Sequence, residues 1–288
     1  MFRKVPSLTY IERPVKRAYI NLAGCNFRCR GCFAIARDNV GWSFSVDRLL
    51  RVFTRGCKHV WGCDVADQVV VSGGEPTLNR KFLLKLVEGL KRLGVPKIEL
   101  STNGYMLDRD YIGSLKSAGV DLVKIDVKAY TGSVHEWYTG KDNVRVLKAV
   151  RLLYESGIEF YVRTIMIPEV VGVDEISRIA KFLASIGKDV RYRIYQFASG
   201  IPKVLGREVF KPPRREDVIA ALNAAREYLE DVDALVNVNS YRSDWRSVEF
   251  YADELAEVYR RVAAESVKAI EDWGSRYRLC PMNKLLTP

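Results

Sequence analysis

Histidine is scarce: His59 and His135 are the only two in 288 residues, and they stand apart from one another. That argues against a metal site built on imidazoles. No uncharged apolar run approaches the ~20 residues that a membrane-spanning helix needs, so no membrane partner is expected. The N-terminal stretch carries Arg3, Lys4, Glu12, Arg13, Lys16 and Arg17. No apolar segment of roughly 7–15 residues separates them, which excludes a secretory signal there and points to the cytoplasm. There is no residue-level repeat and no low-complexity segment, so a solenoid is not expected.

With 48% hydrophobic and 28% charged residues, the composition is that of an ordinary globular protein. The length suits one α/β barrel-like domain with an appendage. Net charge is +11 but uneven: residues 1–206 hold 33 Lys/Arg against 20 Asp/Glu, whereas residues 207–288 hold 13 against 15. A basic first part suits an anionic partner such as RNA or an acidic redox protein, and it equally suits a solvated surface of the kind heat-adapted proteins carry.

Six cysteines are present, and three crowd into Cys25-Asn26-Phe27-Arg28-Cys29-Arg30-Gly31-Cys32. In a reducing compartment this favours metal binding over a disulfide framework. No fourth Cys or His follows within twenty residues to close a tetrahedral zinc site. Three thiolates would instead leave one iron of a [4Fe-4S] cube open to an outside ligand. Cys57, Cys63 and Cys280 could be inert thiols, a Cys57–Cys63 disulfide, or ligands of an auxiliary cluster.

Apolar spacing alternates between strands and helices. Strands are expected at Arg17–Leu22, Gln68–Ser72, Lys97–Ser101, Asp121–Val127, Phe160–Ile167 and Arg191–Gln196. Helices are expected at Val46–Arg55, capped by Ser45, then at Arg80–Leu93, Asp108–Ala118, Asn143–Ser156 and Val173–Ile186. The fold class is therefore α/β, a partial (β/α)6 TIM-like barrel with its site at the carboxyl ends of the strands. Lys211-Pro212-Pro213 ends the alternation. Residues 207–288 read as a mainly helical C-terminal extension, a cap or partner surface, with helices at Arg214–Glu230 and Ser247–Asp272 and a strand at Ala234–Asn239.

The C-x3-C-x2-C spacing with Phe33 after it resembles the signature of radical S-adenosylmethionine (SAM) enzymes, and Gly73-Gly74-Glu75-Pro76 resembles the segment that receives the amino group of SAM there. Ser101-Thr102-Asn103-Gly104, the run from Lys124 through Asp126 to Lys128, Arg163, and the stretch from Tyr130 to Leu153 with His135 and Thr139-Gly140 are similar to the branch that activates glycyl radical enzymes, of the pyruvate formate-lyase activating type. The similarity covers about residues 18–206. It implies a cluster on Cys25, Cys29 and Cys32, and SAM contacts from Gly73, Gly74, Glu75, Ser101, Thr102, Asn103, Asp126, Lys128 and Arg163, with Lys128 and Asp126 catalytic. It further implies hydrogen abstraction from a protein or peptide substrate, and reduced ferredoxin or flavodoxin as the electron donor. The sequence departs at Tyr195-Gln196-Phe197, where a histidine is usual and Gln196 is the stand-in, and it has no ferredoxin-like insert between Cys32 and Gly73. An RNA base-modifying enzyme and a non-catalytic iron–sulfur or zinc protein are the rival readings.

Overall fold

The computed structural model describes residues 1–13, 15–234, 246–268 and 277–286. All six expected strands form: β3 (Arg17–Leu22), β5 (Gln68–Gly73), β6 (Lys97–Thr102), β7 (Leu122–Asp126), β8 (Glu159–Met166) and β9 (Tyr192–Gln196). Two short strands, β1 (Arg3–Val5) and β2 (Ser7–Arg13), precede them, and β4 (Trp42–Phe44) pairs with β1 apart from the main sheet. The helices between strands are α1 (Val46–Trp61), α2 (Arg80–Arg92), α3 (Arg109–Ala118), α4 (Gly132–Thr139), α5 (Val144–Ser156) and α6 (Val173–Ala184). Side-chain caps start three of them: Ser45 accepts from Arg48 N, Asn79 from Phe82 N and Asp108 from Tyr111 N.

The strands from β3 through β5, β6, β7, β8 and β9 lie side by side and parallel, each joined to the next through a helix. Period two divides the sheet into two faces. Ala18, Ile20 and Leu22 of β3, Val69 and Val71 of β5, Ile98 and Leu100 of β6, and Val123 and Ile125 of β7 are buried in the apolar core. The alternate positions, Gln68, Glu99, Lys124, Asp126 and Arg163, are polar and pair with one another across the strands. The result is an open α/β barrel with a helical jacket and a charged interior.

Residues after Gly206 build on the same sheet. Helix α7 (Gly200–Val204) leads to α8 (Arg215–Arg226), which packs on α6, and to β10 (Val232–Ala234), which pairs parallel to β9. Residues 235–239 of the expected Ala234–Asn239 strand lie outside the described residues. The expected helix at Ser247–Asp272 is corrected: β11 (Arg246–Tyr251) occupies its first part, and α9 (Ala256–Lys268) begins only after a tight turn. Val248, Phe250 and Tyr251 are bulky strand formers, and the free edge of β2 offers a full row of backbone partners, so tertiary pairing overrides the helical spacing. Strand β12 (Tyr277–Pro281) then adds parallel to β11. Among the described residues no helix is long and apolar enough to cross a membrane.

Candidate active site at the carboxyl ends of the strands

Strand β3 ends at Leu22, and the cysteine loop springs from it. Gly24, at φ +88°, turns the chain in a conformation that side chains disfavour. Its N–H donates to Ala36 O (2.8 Å), and its carbonyl accepts from Glu75 N (2.8 Å). The loop is then held from both sides. Carbonyls at the end of α4, which lack partners within the helix, accept from it: Arg28 N to Thr139 O at 2.7 Å and Arg30 N to Tyr138 O at 3.0 Å. On the other side Glu208 N donates to Arg30 O (3.2 Å), and Arg207 forks from Nη1 to Cys32 O (2.7 Å) and Ala34 O (2.8 Å), while its Nη2 reaches Asp38 (3.0 Å). Phe27 is buried against Tyr105 and His135.

All six cysteines are free thiols. Burial pushes the Cys29 thiol up to about 12, with Lys128 opposing and the Cys32 and Cys25 sulfurs adding to the rise. Burial likewise raises Cys25 to about 11, with Glu75 and Cys32 adding to it. The three sulfurs thus lie within each other's electrostatic reach. Among the described residues no three His, Cys, Asp or Glu side chains converge as a single metal ion requires. This holds for the loop, and equally for Cys57, Cys63 and Cys280. Cys63 instead accepts a hydrogen bond from Lys16 Nζ (3.4 Å).

The turn after β5 faces this loop. A Cβ on Gly74 would lie 2.3 Å from Gly24 O and 2.4 Å from Ala36 O, and one on Gly73 would strike the Leu22 backbone. Both glycines are therefore required by the neighbouring chain, whatever else they contact. Glu75 is fully buried. Its Oε1 accepts from Thr77 N (3.0 Å), Thr77 Oγ1 (2.5 Å) and Thr102 Oγ1 (2.7 Å), and its Oε2 from Asn103 N (2.7 Å). Burial raises its pKa, and these donors counter the rise. Its carboxylate ties the end of β5 to the end of β6. Ser101 sits beside Lys124 in the β6–β7 register.

Asp126 ends β7, next to Arg163 of β8. Arg163 Nε lies 2.7 Å from Asp126 Oδ1, and Lys128 Nζ lies 3.1 Å from Oδ2. Burial would raise the pKa of Asp126, but the two cations outweigh it and hold the acid below its ordinary value. Burial works against the charge on Lys128; Asp126 and the Cys29 sulfur outweigh that and hold the ammonium above its ordinary value. Lys124 lies on the same strand face as Asp126, as expected, and pairs with Glu99 deeper in the barrel. Gln196 ends β9 opposite Met166. The rim thus brings the cysteine loop together with Glu75, Asn103, Asp126, Lys128 and Arg163. Sequence reading passed over Arg207, which lies one residue past the expected boundary, and Arg3, whose Nη2 donates to Ala23 O (2.7 Å) and Glu75 O (3.2 Å). Neither carries a local signal.

Residues 20–183 match the model of the Radical SAM superfamily. The chain belongs to that superfamily. A Methanocaldococcus jannaschii protein provisionally named a glycyl-radical enzyme activating enzyme is 32% identical over 223 residues, spanning 76% of this chain and 80% of its own. A Saccharolobus islandicus protein provisionally named a GTP 3',8-cyclase is 29% identical over 192 residues, 61% of this chain and 60% of that one. Among solved structures, a domain of a pyruvate-formate lyase-activating enzyme from Bacteroides vulgatus superposes with a TM-score of 0.50 at 20% identity, over 58% of this chain and 97% of that chain. Streptococcus suis SuiB bound to its precursor peptide SuiA superposes with a TM-score of 0.59 at 13% identity, over 88% of this chain and 54% of that chain.

As a radical SAM enzyme, the chain uses a [4Fe-4S] cluster and SAM. The donor set fits that pair: three free thiols lie on one loop, and a side-chain amide beside Cys25, Asn26 Nδ2, is buried without a partner among the described residues.

Proposed function

We propose that this enzyme abstracts hydrogen from a protein or peptide, in the manner of a glycyl-radical activase. Cys25, Cys29 and Cys32 would hold the cluster, and SAM would lie along the rim from Gly73–Glu75 and Ser101–Asn103 to Asp126, Lys128, Arg163 and Gln196. Reduced by one electron, the bound pair supplies hydrogen-atom abstraction. The protein's share is to bind, to orient and to exclude water. Lys128, kept cationic by Asp126, and Arg163 suit the carboxylate of a zwitterionic ligand. Asp126 sets the geometry of both cations. Residues 1–206 would carry this chemistry, and 207–288 would brace the loop and shape access to it.

The observation that carries the reading is the convergence of the cysteine loop, Glu75 and the Asp126–Lys128–Arg163 triad on one rim, in a chain similar over most of its length to a protein named for activation. An acidic one-electron carrier, ferredoxin or flavodoxin, would dock beside Arg28, Arg30 and the exposed Phe33 and Trp137. Arg30 already stacks on Trp137 and pairs with Glu208, which leaves Arg28 as the more available charge. Anaerobic protein reconstituted with iron and sulfide, then given dithionite and SAM, should form 5'-deoxyadenosine. Deuterium transfer into that product from a labelled substrate identifies the donor. No 5'-deoxyadenosine from protein containing four irons would overturn the reading. An RNA substrate is the second reading, favoured by the charge of residues 1–206; its binding would weaken steeply with salt.

A further inference from the structure

The buried amide beside Cys25 has a defined orientation, and a chain of hydrogen bonds fixes it. Asn103 follows β6, and its N–H is held by Glu75 Oε2 (2.7 Å). Its side-chain Oδ1 accepts from Tyr105 N (3.0 Å), an Asx turn that leaves Nδ2 as the outward atom. That Nδ2 donates to Asn26 Oδ1 (2.8 Å) and, over 3.8 Å, to Cys25 Sγ. Asn26 is thereby set with its oxygen toward Asn103, 3.9 Å from Cys25 Sγ, and its Nδ2 is left buried with no acceptor among the described residues. A buried N–H without a partner is costly, and native proteins leave few of them. An acceptor at this place would satisfy it, and the anionic sulfur of a cluster bound at Cys25 is one.

We propose that Asn26 and Asn103 form an amide relay, in which Asn103 orients Asn26 so that Asn26 Nδ2 donates a hydrogen bond to the cluster at Cys25 and raises its reduction potential. Hydrogen bonds to cluster sulfurs stabilise the more negative, reduced state. Asn26 is a positioning and tuning residue here; it transfers nothing. The inference rests on the cluster assignment of the preceding subsection, and iron content separates the two. Wild-type protein that fails to bind about four irons sinks that assignment, whereas loaded protein with no shift sinks only the relay.

The test is an EPR-monitored redox titration without SAM, on protein of matched iron and sulfide content. Asn26→Leu should make cluster reduction about tenfold less favourable, a negative shift of about 59 mV for one electron. Asn103→Ala, which frees the Asn26 amide to turn, should shift the midpoint in the same direction by less, and it serves alone if Asn26→Leu does not load. The double variant should shift by less than the sum of the two single shifts, because the orienting role of Asn103 is void once Asn26 is gone. Unchanged midpoints in loaded variants, or a strictly additive double variant, would overturn the relay. A shift seen only when SAM is added would also overturn it, by giving the donor to SAM and not to the cluster.

Discussion

Replacing Arg207 with alanine should unfasten the cysteine loop without unfolding the barrel. Its guanidinium is almost wholly buried and spans Cys32 O and Ala34 O at 2.7 and 2.8 Å. Hydrogen bonds from a charged donor contribute about 1.5–3 kcal/mol each. The Asp38 partner is half exposed and adds little. Water can re-solvate the freed carbonyls once the loop lifts, so a local loss of about 2–4 kcal/mol is reasonable. At ~1.4 kcal/mol per factor of ten, the loop should open roughly 30 to 700 times more often. Cys29 is the reporter, since it is buried with a thiol raised to about 12 and should react only after opening. Alkylation of apo-protein, followed by peptide mass analysis, reads it directly, with Cys63 as the half-exposed internal control. Arg207→Lys should fall between, because one ammonium cannot fork across two carbonyls and a carboxylate. If Cys29 in folded Arg207→Ala labels at the wild-type rate, the clamp does not hold the loop.

Glycine substitutions test the rim independently. Gly74→Ala sets a methyl 2.3 and 2.4 Å from two backbone oxygens that cannot yield, so it should abolish cluster loading measured as iron per chain. Gly113→Ala, inside α3 with open space around it, should stabilise by about 0.5–1 kcal/mol in urea denaturation. The barrel interior should also leave a pH signature. Burial lowers Lys124 from 10.5 to about 8 while Glu99 pulls the other way. Between those two values the unfolded chain binds more protons than the folded one, so the contribution to stability grows as pH rises and is lost as pH falls through about 8. Relative to Lys124→Met/Glu99→Gln, the wild type should gain stability from pH 7.5 to 10, as measured by urea denaturation; a constant difference would mean that Lys124 stays charged throughout.

The parallel strands were legible because each is a short run between helical segments, three of which start at the caps Ser45, Asn79 and Asp108. The rim followed from strand order, since Asp126 at the end of β7 lies beside Arg163 of the neighbouring β8. What escaped has a common cause. Strands β2 and β11 are stabilised by each other, 242 residues apart at the Phe250–Leu8 pair and 238 at Val248–Tyr10, and no local pattern encodes a partner so remote. Arg207 escaped for the same reason: its ligands are backbone carbonyls, which leave no trace in side-chain identity.

The titratable groups on the rim also bear on the kind of chemistry this protein can perform by itself. Glu75 is saturated by four internal donors. Asp126 is held in its charged form between two cations, which makes it a weak proton acceptor. Burial lowers the pKa of His135, whose Nδ1 is bound to Lys141 O at 2.8 Å, and its ring is packed on Phe27. Lys128 is kept protonated. Asp126 and Lys128 are thus both shifted away from neutral pH, where a general acid or base must exchange its proton. A rim whose Asp126–Lys128–Arg163 group is fixed in charge is suited to hold a ligand still while bound cofactors do one-electron work, the division of labour that a radical SAM enzyme requires.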